Sequence, residues 1–253
     1  MHALNKSLGQ HFLKDGGVAE KIVQAMGIRP GMQLLEIGPG AGALTRLIAP
    51  MEGIRFRAVE IDGPKVTVLE KAFPVLKGKI LRGDILECDR PWEGKFSIIG
   101  NFPYNISSQI LLRVLEWKDQ VDRVVGMFQK EVAARVVAPP GTKTYGILSV
   151  LVQAFFNAEY LFDVPPESFN PPPRVMSGVI RLTRNDNPFG VENMEQFTRL
   201  VKTSFGQRRK ILRNPARALF DPGILEEEIF ARRPEQLTIR QFADLSKRMK
   251  QYG

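Results

Sequence analysis

A short apolar segment, residues 32–37, runs directly into a glycine-rich stretch, residues 38–42, and this transition constrains the fold most strongly. Residues 43–50 follow with the apolar spacing of a helix, so the sequence predicts a strand, a tight turn and a helix. Glycines permit such a turn and let a ligand lie directly on the backbone. The turn also satisfies the relaxed dinucleotide fingerprint G-x-G-x-x-A, so by itself it leaves open which ligand binds there, if any.

Segments of strand and helix character alternate on both sides of this turn. Helices are predicted at residues 16–26, 64–73 and 106–117, and in a longer stretch, 130–156, that is interrupted at 139–141. Strands are predicted at residues 32–37, 56–61, 80–81, 96–100, 121–128, 160–164 and 179–182. Strands that alternate with helices of this length form a parallel sheet covered on both faces. We therefore expect an α/β fold with a seven-stranded, Rossmann-like sheet.

The pattern changes at a turn-rich boundary, residues 185–190. From residue 192 to residue 249 every periodic segment has helical spacing. The sequence therefore predicts two domains, an α/β domain at residues 1–184 and a small all-α domain at residues 185–253.

Composition narrows the class of protein. The chain has 36 Lys and Arg against 27 Asp and Glu, and its net charge of +9 suggests a polyanionic partner. A single cysteine, Cys88, excludes an internal disulfide framework, and two histidines leave little material for a His-based metal site. No apolar run approaches the ~20 residues of a membrane span, and the start lacks a signal-peptide pattern. We expect a cytoplasmic, metal-free protein.

Acidic residues stand at the ends of the first three predicted strands. Glu36 and Glu60 end the first two strands, and Asp84 follows the third. Ligands bind at these strand ends in open α/β sheets, where a carboxylate such as Glu60 can accept hydrogen bonds from both hydroxyls of a ribose. Asp84 is placed to accept a hydrogen bond from an adenine amino group. The pattern predicts a nucleoside-containing cofactor, either NAD or S-adenosylmethionine.

The fourth predicted strand ends in Asn101-Phe102-Pro103-Tyr104, and this tetrapeptide favours methylation of an aromatic amine. Such an amine is a poor nucleophile because its lone pair is delocalised into the ring. The amide oxygen of Asn101 and the carbonyl of Pro103 can each accept one amine hydrogen, which aims the lone pair at a sulfonium methyl. Tyr104 can stack on the target base. The alternative is a plain Asn-Pro turn that ends a strand.

Together with further motifs, this tetrapeptide resembles the ribosomal RNA adenine dimethyltransferase family from Lys6 to the C-terminal helices. The other motifs lie at residues 6–13, 36–42, 129–132, 165–175 and 205–214. The resemblance implies a class I methyltransferase sheet and S-adenosylmethionine as the cofactor. We expect the protein to be a monomer. The resemblance also implies the target, which is two adjacent adenosines in the last hairpin loop of small-subunit rRNA, each dimethylated within a pre-assembled small ribosomal subunit.

The resemblance carries cofactor contacts onto particular positions of this chain. These positions are His11, Leu13, Glu36, Gly38, Gly40, Glu60, Ile61, Asp84, Ile85 and Asn101. Two residues depart from the family pattern. His11 stands where the family more often has Asn, and Phe102 replaces the commoner Leu, an apolar change beside the essential groups.

Phe169 lies in a proline-rich segment, residues 165–173, that the sequence predicts to be stiff and non-helical. An aromatic ring held there loses little entropy on binding. We expect it to pair with Tyr104 and sandwich an extruded adenine. The alternative is a ring that packs under the proline-rich loop.

Residues 199–220 contain no acidic residue. RNA phosphate contacts are expected from the basic residues Arg208, Arg209, Lys210, Arg213 and Arg217. Arg209 and Arg213, four positions apart, are predicted to share a helix face. The helical domain is therefore expected to bind RNA or the ribosome, although a solvated helix face also explains a run of charge.

Three rival functions remain open at this point. An NAD(P) oxidoreductase fits the glycine turn and Glu60 but not residues 101–104. A non-catalytic assembly factor that keeps the fold is the second, and the intact tetrapeptide argues against it. Dimethylation of large-subunit rRNA is the third, and the motif at residues 205–214 favours the small subunit instead.

Overall fold

The computed structural model describes residues 11–250 of the 253-residue chain. Its strands are β1 (Phe12–Leu13), β2 (Gln33–Ile37), β3 (Arg55–Glu60), β4 (Ile80–Arg82), β5 (Phe96–Asn101), β6 (Val121–Gln129), β7 (Phe156–Val164), β8 (Phe169–Asn170) and β9 (Ser177–Arg184). Its α-helices are α1 (Gly16–Met26), α2 (Thr45–Ile48), α3 (Gly63–Ala72), α4 (Ser107–Glu116), α5 (Lys130–Val137), α6 (Ile147–Gln153), α7 (Met194–Gly206), α8 (Arg213–Ala216) and α9 (Ile239–Ser246). Short 3-10 turns lie at Pro74–Leu76, Pro166–Ser168, Ile224–Glu226, Glu228–Ala231 and Pro234–Gln236.

Seven strands form one sheet in the order β4-β3-β2-β5-β6-β9-β7. The pairs among β2 to β6 are parallel, whereas β9 pairs with β6 in the antiparallel direction. The chain leaves β2 towards β4 and then returns past it to β5, so the connections diverge above the carboxyl ends of β2 and β5. This divergence creates the crevice in which ligands bind. The predicted α/β class and seven-stranded sheet are confirmed.

The first helix has its predicted bounds because both of its ends carry capping residues. The side chain of Asp15 accepts a hydrogen bond from the Val18 N–H at 3.1 Å, and Gly27 ends the helix in a left-handed conformation with φ 62°. Its apolar stripe packs against β6 and β9. The stripe consists of the buried residues Ala19, Ile22, Val23 and Met26.

Several element boundaries differ from the prediction, and two of these differences have a clear cause. The helix after the glycine turn covers only Thr45–Ile48, because residues 40–44 are used to complete the turn. The strand predicted at 160–164 begins at Phe156, since α6 already ends at Gln153. Apolar residues at 154–156 fit either element, so periodicity alone did not fix this boundary.

A separate two-stranded sheet joins β1 to β8. Phe12 pairs with Asn170 and Leu13 with Phe169, and the Lys14 N–H donates to the Ser168 carbonyl at 2.9 Å. This pairing buries the Phe169 ring, which is 1% exposed and belongs to the hydrophobic core. In this conformation the Phe169 ring packs in the core and is not presented to the cleft. Its stacking on a base stays a prediction.

The chain divides into two compact units, residues 11–133 with 158–184 and residues 134–157 with 185–250. Residues 134–157, which the sequence assigns to the α/β domain, cluster with the helical unit. There α6 packs against α7, and the Asn185 N–H donates to the Phe155 carbonyl at 3.1 Å. The functions assigned to the two domains stay predictions.

Within residues 11–250, no helix combines the length and apolar character needed to span a bilayer. In the same range, no group of three or more His, Cys, Asp and Glu side chains is placed to hold a metal ion.

Candidate active site

A cleft opens at the carboxyl ends of β2, β3 and β5. The empty space in the cleft, including the part open to solvent, is about 630 Å³. Its walls are His11, Phe12, Leu13, Glu36, Gly38, Pro39, Gly40, Ala41, Ala43, Leu44, Glu60, Asn101, Phe102, Pro103 and Tyr104. Glu36, Glu60, the glycine turn and the tetrapeptide at residues 101–104 therefore meet in one place, as the sequence predicts, whereas Asp84 does not line the cleft.

The glycine turn depends on residues without a side chain. Gly38, Gly40 and Gly42 have φ values of 66°, 56° and 80°, a region that other residues rarely adopt. A Cβ atom at Gly40 would also lie 3.2 Å from the ring of Phe12, and one at Gly42 would lie 3.1 Å from Leu69. The backbone of the turn therefore faces the cleft directly, and the side chains of Phe12 and Leu69 pack close to it.

Glu60 holds the glycine turn against the end of β3. One of its carboxylate oxygens accepts a hydrogen bond from the Gly40 N–H at 3.0 Å, and the other accepts one from the Asp62 N–H at 3.0 Å. The side chain is only 3% exposed. Two backbone donors therefore fix the carboxylate at the cleft wall, and each oxygen retains a lone pair for a ligand hydroxyl.

Glu36 is a second buried carboxyl at the cleft. It is 2% exposed, and the Thr45 hydroxyl donates to it at 2.7 Å. Burial, and secondarily the nearby charge of Glu60, raises the pKa of Glu36 to about 8. A cation in the cleft would stabilise the ionised forms of both acids, so this wall favours a positively charged ligand.

Asn101 ends β5 with its amide oriented by the N-terminal segment. Its Nδ2 donates to the main-chain carbonyl of His11 at 3.0 Å, and within residues 11–250 its Oδ1 has no protein partner. The Pro103 carbonyl accepts a hydrogen bond from the Ile106 N–H at 3.2 Å and keeps its second lone pair. Both acceptors belong to residues that line the cleft.

Tyr104 and His11 form the opposite part of the wall. Their ring centroids are 5.5 Å apart with an angle of 32° between the planes. The His11 Nδ1 lies 2.9 Å from the Pro171 carbonyl, and the Tyr104 hydroxyl bonds to the Ser177 hydroxyl. Burial raises the pKa of Tyr104, so its hydroxyl stays protonated at neutral pH.

Phe102 fits because two glycines lie beneath its ring. Gly100 and Gly126 pair across β5 and β6, and a Cβ atom on either would collide with the Phe102 ring. The ring is 1% exposed and makes an edge contact with Phe128 at a centroid distance of 5.0 Å. The exchange of the commoner Leu for Phe is therefore absorbed in the core beneath the cleft.

Most of the predicted cofactor positions line the cleft, but three do not. Ile61 is 50% exposed, Ile85 is buried beside the end of β4, and the Asp84 carboxylate accepts the Leu86 N–H at 2.9 Å. They lie past the ends of β3 and β4, outside the walls described above.

Sequence reasoning missed other residues at this site. The cleft walls that it did not assign individually are Phe12, Pro39, Ala41, Ala43 and Leu44, of which Pro39 and Ala41 lie within the predicted glycine turn. Phe12 had a signal, since it lies inside the motif at residues 6–13, of which residues 6–10 lie outside the described part of the chain. Ser177, which bonds to Tyr104, had none, because 73 residues separate the two in sequence.

The predicted RNA-binding residues fall into two groups. Arg208 donates to the Thr142 carbonyl at 3.2 Å and lies 3.8 Å from Glu235, and Arg213 donates to the Leu225 carbonyl at 2.8 Å. The other three are exposed and have no protein partner within residues 11–250. These three, the free cations, are Arg209, Lys210 and Arg217.

The expectation that Arg209 and Arg213 share a helix face is wrong. α7 ends at Gly206 and α8 begins at Arg213, so Arg209 lies in the turn between them. Glycine is a weak helix former, so Gly206 favours the end of the helix, and helical spacing does not extend across the break.

The residues of the cleft fit S-adenosylmethionine. The cofactor carries a sulfonium and an ammonium, which suit a wall with two buried carboxyls, Glu36 and Glu60. NAD would instead bring an anionic pyrophosphate towards the same carboxyls.

The strand order, the glycine turn after β2 and the acid that ends β3 define the class I fold of S-adenosylmethionine-dependent methyltransferases. A family model described as ribosomal RNA adenine dimethylase matches residues 1–251. The chain belongs to this ribosomal RNA adenine dimethylase family.

Curated relatives agree over almost the full length. A ribosomal RNA small subunit methyltransferase A from Cytophaga hutchinsonii is 46% identical over 245 residues, which is 95% of each protein. The protein of the same name from Bacteroides thetaiotaomicron is 45% identical over 251 residues, 97% of this chain and 94% of that protein.

Solved structures share the fold. A dimethyladenosine transferase from Plasmodium falciparum has a TM-score of 0.79 at 23% identity, covering 94% of this chain and 99% of that one. The 23S rRNA methyltransferase ErmE has a TM-score of 0.69 at 24% identity, covering 94% of this chain and 100% of that one.

Family membership excludes two of the three alternative functions that the sequence left open. The chain is an rRNA adenine dimethyltransferase of the class that uses S-adenosylmethionine. An NAD(P) oxidoreductase and a protein without catalytic activity are therefore both wrong. The choice between small-subunit and large-subunit RNA is taken up below.

Proposed function

We propose that this enzyme dimethylates the 6-amino groups of two adjacent adenosines in the 3′-terminal hairpin loop of small-subunit rRNA. It would act in the cytoplasm, as a monomer, on a pre-assembled small ribosomal subunit, and so contribute to subunit biogenesis. The observation that carries the proposal is the orientation of Asn101, whose Nδ2 is engaged by His11 while its Oδ1 remains available.

Two acceptors activate the amine. Oδ1 of Asn101 and the second lone pair of the Pro103 carbonyl each take one amine hydrogen, which withdraws the nitrogen lone pair from conjugation with the ring. Both acceptors are fixed before substrate arrives, by hydrogen bonds to His11 and Ile106. Fixed dipoles of this kind stabilise charge as it develops and cost no reorganisation.

The cofactor supplies an electrophilic methyl group on a sulfonium. With the cofactor bound, the amine nitrogen would receive this methyl group, the electrons of the S–C bond would stay with sulfur, and the amine would release a proton to water. No strong base is needed, since the methylated ammonium is acidic. The role of the chain is to hold both reactants in line, which lowers the entropic part of the barrier.

The cleft residues hold the cofactor in this scheme. Glu60 binds the ribose hydroxyls, and the glycine turn with Gly38 and Gly40 carries the methionine part beside Glu36. Ile61, Asp84 and Ile85 would contact the adenine at the open end beyond β3 and β4, and His11 and Leu13 would cover the cofactor from the N-terminal side.

Tyr104 stacks on the target base. A base in a single-stranded loop is splayed out at low cost, so a hairpin loop suits this site. In this conformation Phe169 is buried, so Tyr104 provides the stacking surface without it.

The helical unit supplies the phosphate contacts. The free cations Arg209, Lys210 and Arg217 are exposed and have no protein partner among the described residues, so they can neutralise RNA phosphates. Arg208 and Arg213 would contribute only by exchanging their contacts within the unit for phosphates. This division makes the contact with RNA backbone-directed and dependent on salt.

The small subunit is favoured over the large subunit by the relatives that carry its name and by the motif at residues 205–214. The test is transfer of tritium from labelled cofactor to under-methylated small subunits, to large subunits and to naked small-subunit rRNA, with the modified nucleotides mapped. We expect dimethyladenosine at two adjacent loop positions of the small subunit. Label confined to the large subunit would overturn the proposal.

A further inference from the structure

The ring of Tyr104 is anchored at its far end. Its hydroxyl and the hydroxyl of Ser177 form a short hydrogen bond between positions 73 residues apart in sequence. Ser177 begins β9, is 0% exposed and pairs with Gln129 of β6. Tyr104 follows β5 in a loop and lines the cleft. The bond therefore fixes a loop side chain to the rigid sheet.

A second contact to the Tyr104 ring comes from the side chain of His11. The His11 ring packs against Tyr104 at 5.5 Å and is itself held 2.9 Å from the Pro171 carbonyl. The main chain at Tyr104 is tied as well, because its carbonyl accepts a hydrogen bond from the Ser107 hydroxyl at 3.1 Å. With both ends held, the plane of the ring is defined before a base arrives.

The two successive transfers to one nitrogen differ in what holds the base. In the first transfer the amine offers two N–H groups, one for Asn101 and one for Pro103. After one methyl group has been added, a single N–H remains, so one of these hydrogen bonds is lost. The stacking ring must then provide a larger share of the positioning. A tether on that ring therefore matters more in the second transfer than in the first.

We propose that Ser177 is a positioning residue that carries methylation from the monomethyl to the dimethyl product by fixing Tyr104. The inference rests on the proposed function and deepens it. In the second transfer the lone pair of the monomethylated nitrogen forms a second N–C bond, the S–C bond breaks towards sulfur, and the last amine proton goes to water. Ser177 touches none of these atoms and acts only through the ring.

The test compares four variants by single-turnover transfer to under-methylated small subunits, with N6-methyladenosine and N6,N6-dimethyladenosine quantified by mass spectrometry of nucleosides. Ser177→Ala and Tyr104→Phe each remove the bond from one side, and the double variant removes it from both. Ser97→Ala is the matched control, because Ser97 is also buried in the sheet, at 2% exposure, but lies at the other end of β5.

We expect the second transfer to slow by about three- to tenfold in both single variants, the range of one hydrogen bond, with a smaller effect on the first. Monomethyladenosine should accumulate, the double variant should match the singles, and Ser97→Ala should behave as wild type. A normal product ratio in Tyr104→Phe, which leaves the buried serine intact, would overturn the inference even if Ser177→Ala failed to fold. Wild type that forms no dimethyladenosine would instead overturn the proposed function.

Discussion

The side-chain nitrogen of Asn101 donates a hydrogen bond to the main-chain carbonyl of His11 at 3.0 Å. This contact decides which end of the amide faces the substrate, because only Oδ1 is then left for an amine hydrogen. It also ties the chemistry to the N-terminal segment, which β1 fastens to β8. The fold itself therefore orients the catalytic amide before any ligand binds.

Replacement of Asn101 tests the role of this amide. Asn101→Ala removes a fixed acceptor, so kcat should fall by about 10²- to 10³-fold, the usual effect of losing one such group. RNA affinity should change little, since Asn101 is far from the expected phosphate contacts in sequence and role. Single-turnover rates and filter binding measure the two. Asn105→Ala, an exposed neighbour, is the control, and a variant at position 101 with near-normal turnover would refute the role.

Glu60 is expected to set cofactor affinity. In Glu60→Gln an NH2 group replaces one carboxylate oxygen. This group donates hydrogen bonds and cannot accept one from a backbone N–H or from a ribose hydroxyl. Cofactor affinity measured by calorimetry should fall by about 10- to 100-fold, as for the loss of a charged hydrogen bond. The exposed Glu52→Gln should bind as wild type. Equal affinity in Glu60→Gln would reject the ribose contact.

The sheet, its strand-end acids and the tetrapeptide at residues 101–104 were predictable because each leaves a local pattern in the sequence. Phe169 was not, because a proline-rich segment indicates stiffness but not which way a ring faces. The pairing of Leu13 with Phe169 that buries the ring joins segments 156 positions apart, and no local pattern encodes it.

The basic residues show the same limit. Charge was visible in the sequence, but the partners of Arg208 and Arg213 come from Thr142 and Leu225, which no spacing rule connects to them. Arg209 and Arg213 were placed on one helix because periodicity does not reveal where α7 stops.

The stability of the protein should depend on pH through Glu36. Its pKa is raised from 4.5 to about 8, so the folded state binds a proton that the unfolded state releases between these values. The stabilisation is complete below pH 4.5 and is lost as pH rises towards 8, by at most about 1.4 kcal/mol per pH unit. The side-chain amide introduced by Glu36→Gln does not titrate in this range, so the variant has no such pH dependence. In urea titrations at several pH values, the free energy of unfolding of Glu36→Gln relative to wild type should increase as pH rises. The exposed control Glu20→Gln should show no such increase. A constant difference between Glu36→Gln and wild type at all pH values would contradict the assignment.

Gly126 should tolerate no side chain. A Cβ atom there would collide with Phe102 and lie 2.9 Å from Phe128, so Gly126→Ala should lower the free energy of unfolding by about 1–3 kcal/mol. Phe102→Leu in the same chain should recover part of this loss, because the smaller side chain frees space. Gly16→Ala, with no atom within 4 Å of the new Cβ, is the control. An unchanged denaturation midpoint in Gly126→Ala would disprove this packing.

The salt dependence of RNA binding should come from the free cations. Replacing Arg209, Lys210 and Arg217 together with Gln should reduce the slope of log affinity against log salt by about 2–3, at about 0.7–0.9 per phosphate contact. Arg213→Gln is the matched comparison. It should leave the slope nearly unchanged and lower the free energy of unfolding by about 1 kcal/mol, because its bond to Leu225 is lost. A full wild-type slope in the triple variant would place the RNA contact elsewhere.

The most direct test is a structure of the enzyme with a non-reactive cofactor analogue and an adenosine in the cleft. We predict that Oδ1 of Asn101 and the Pro103 carbonyl both lie within hydrogen-bond distance of the 6-amino nitrogen, with Nδ2 still bonded to His11. An amide whose oxygen points away from that nitrogen would contradict the account.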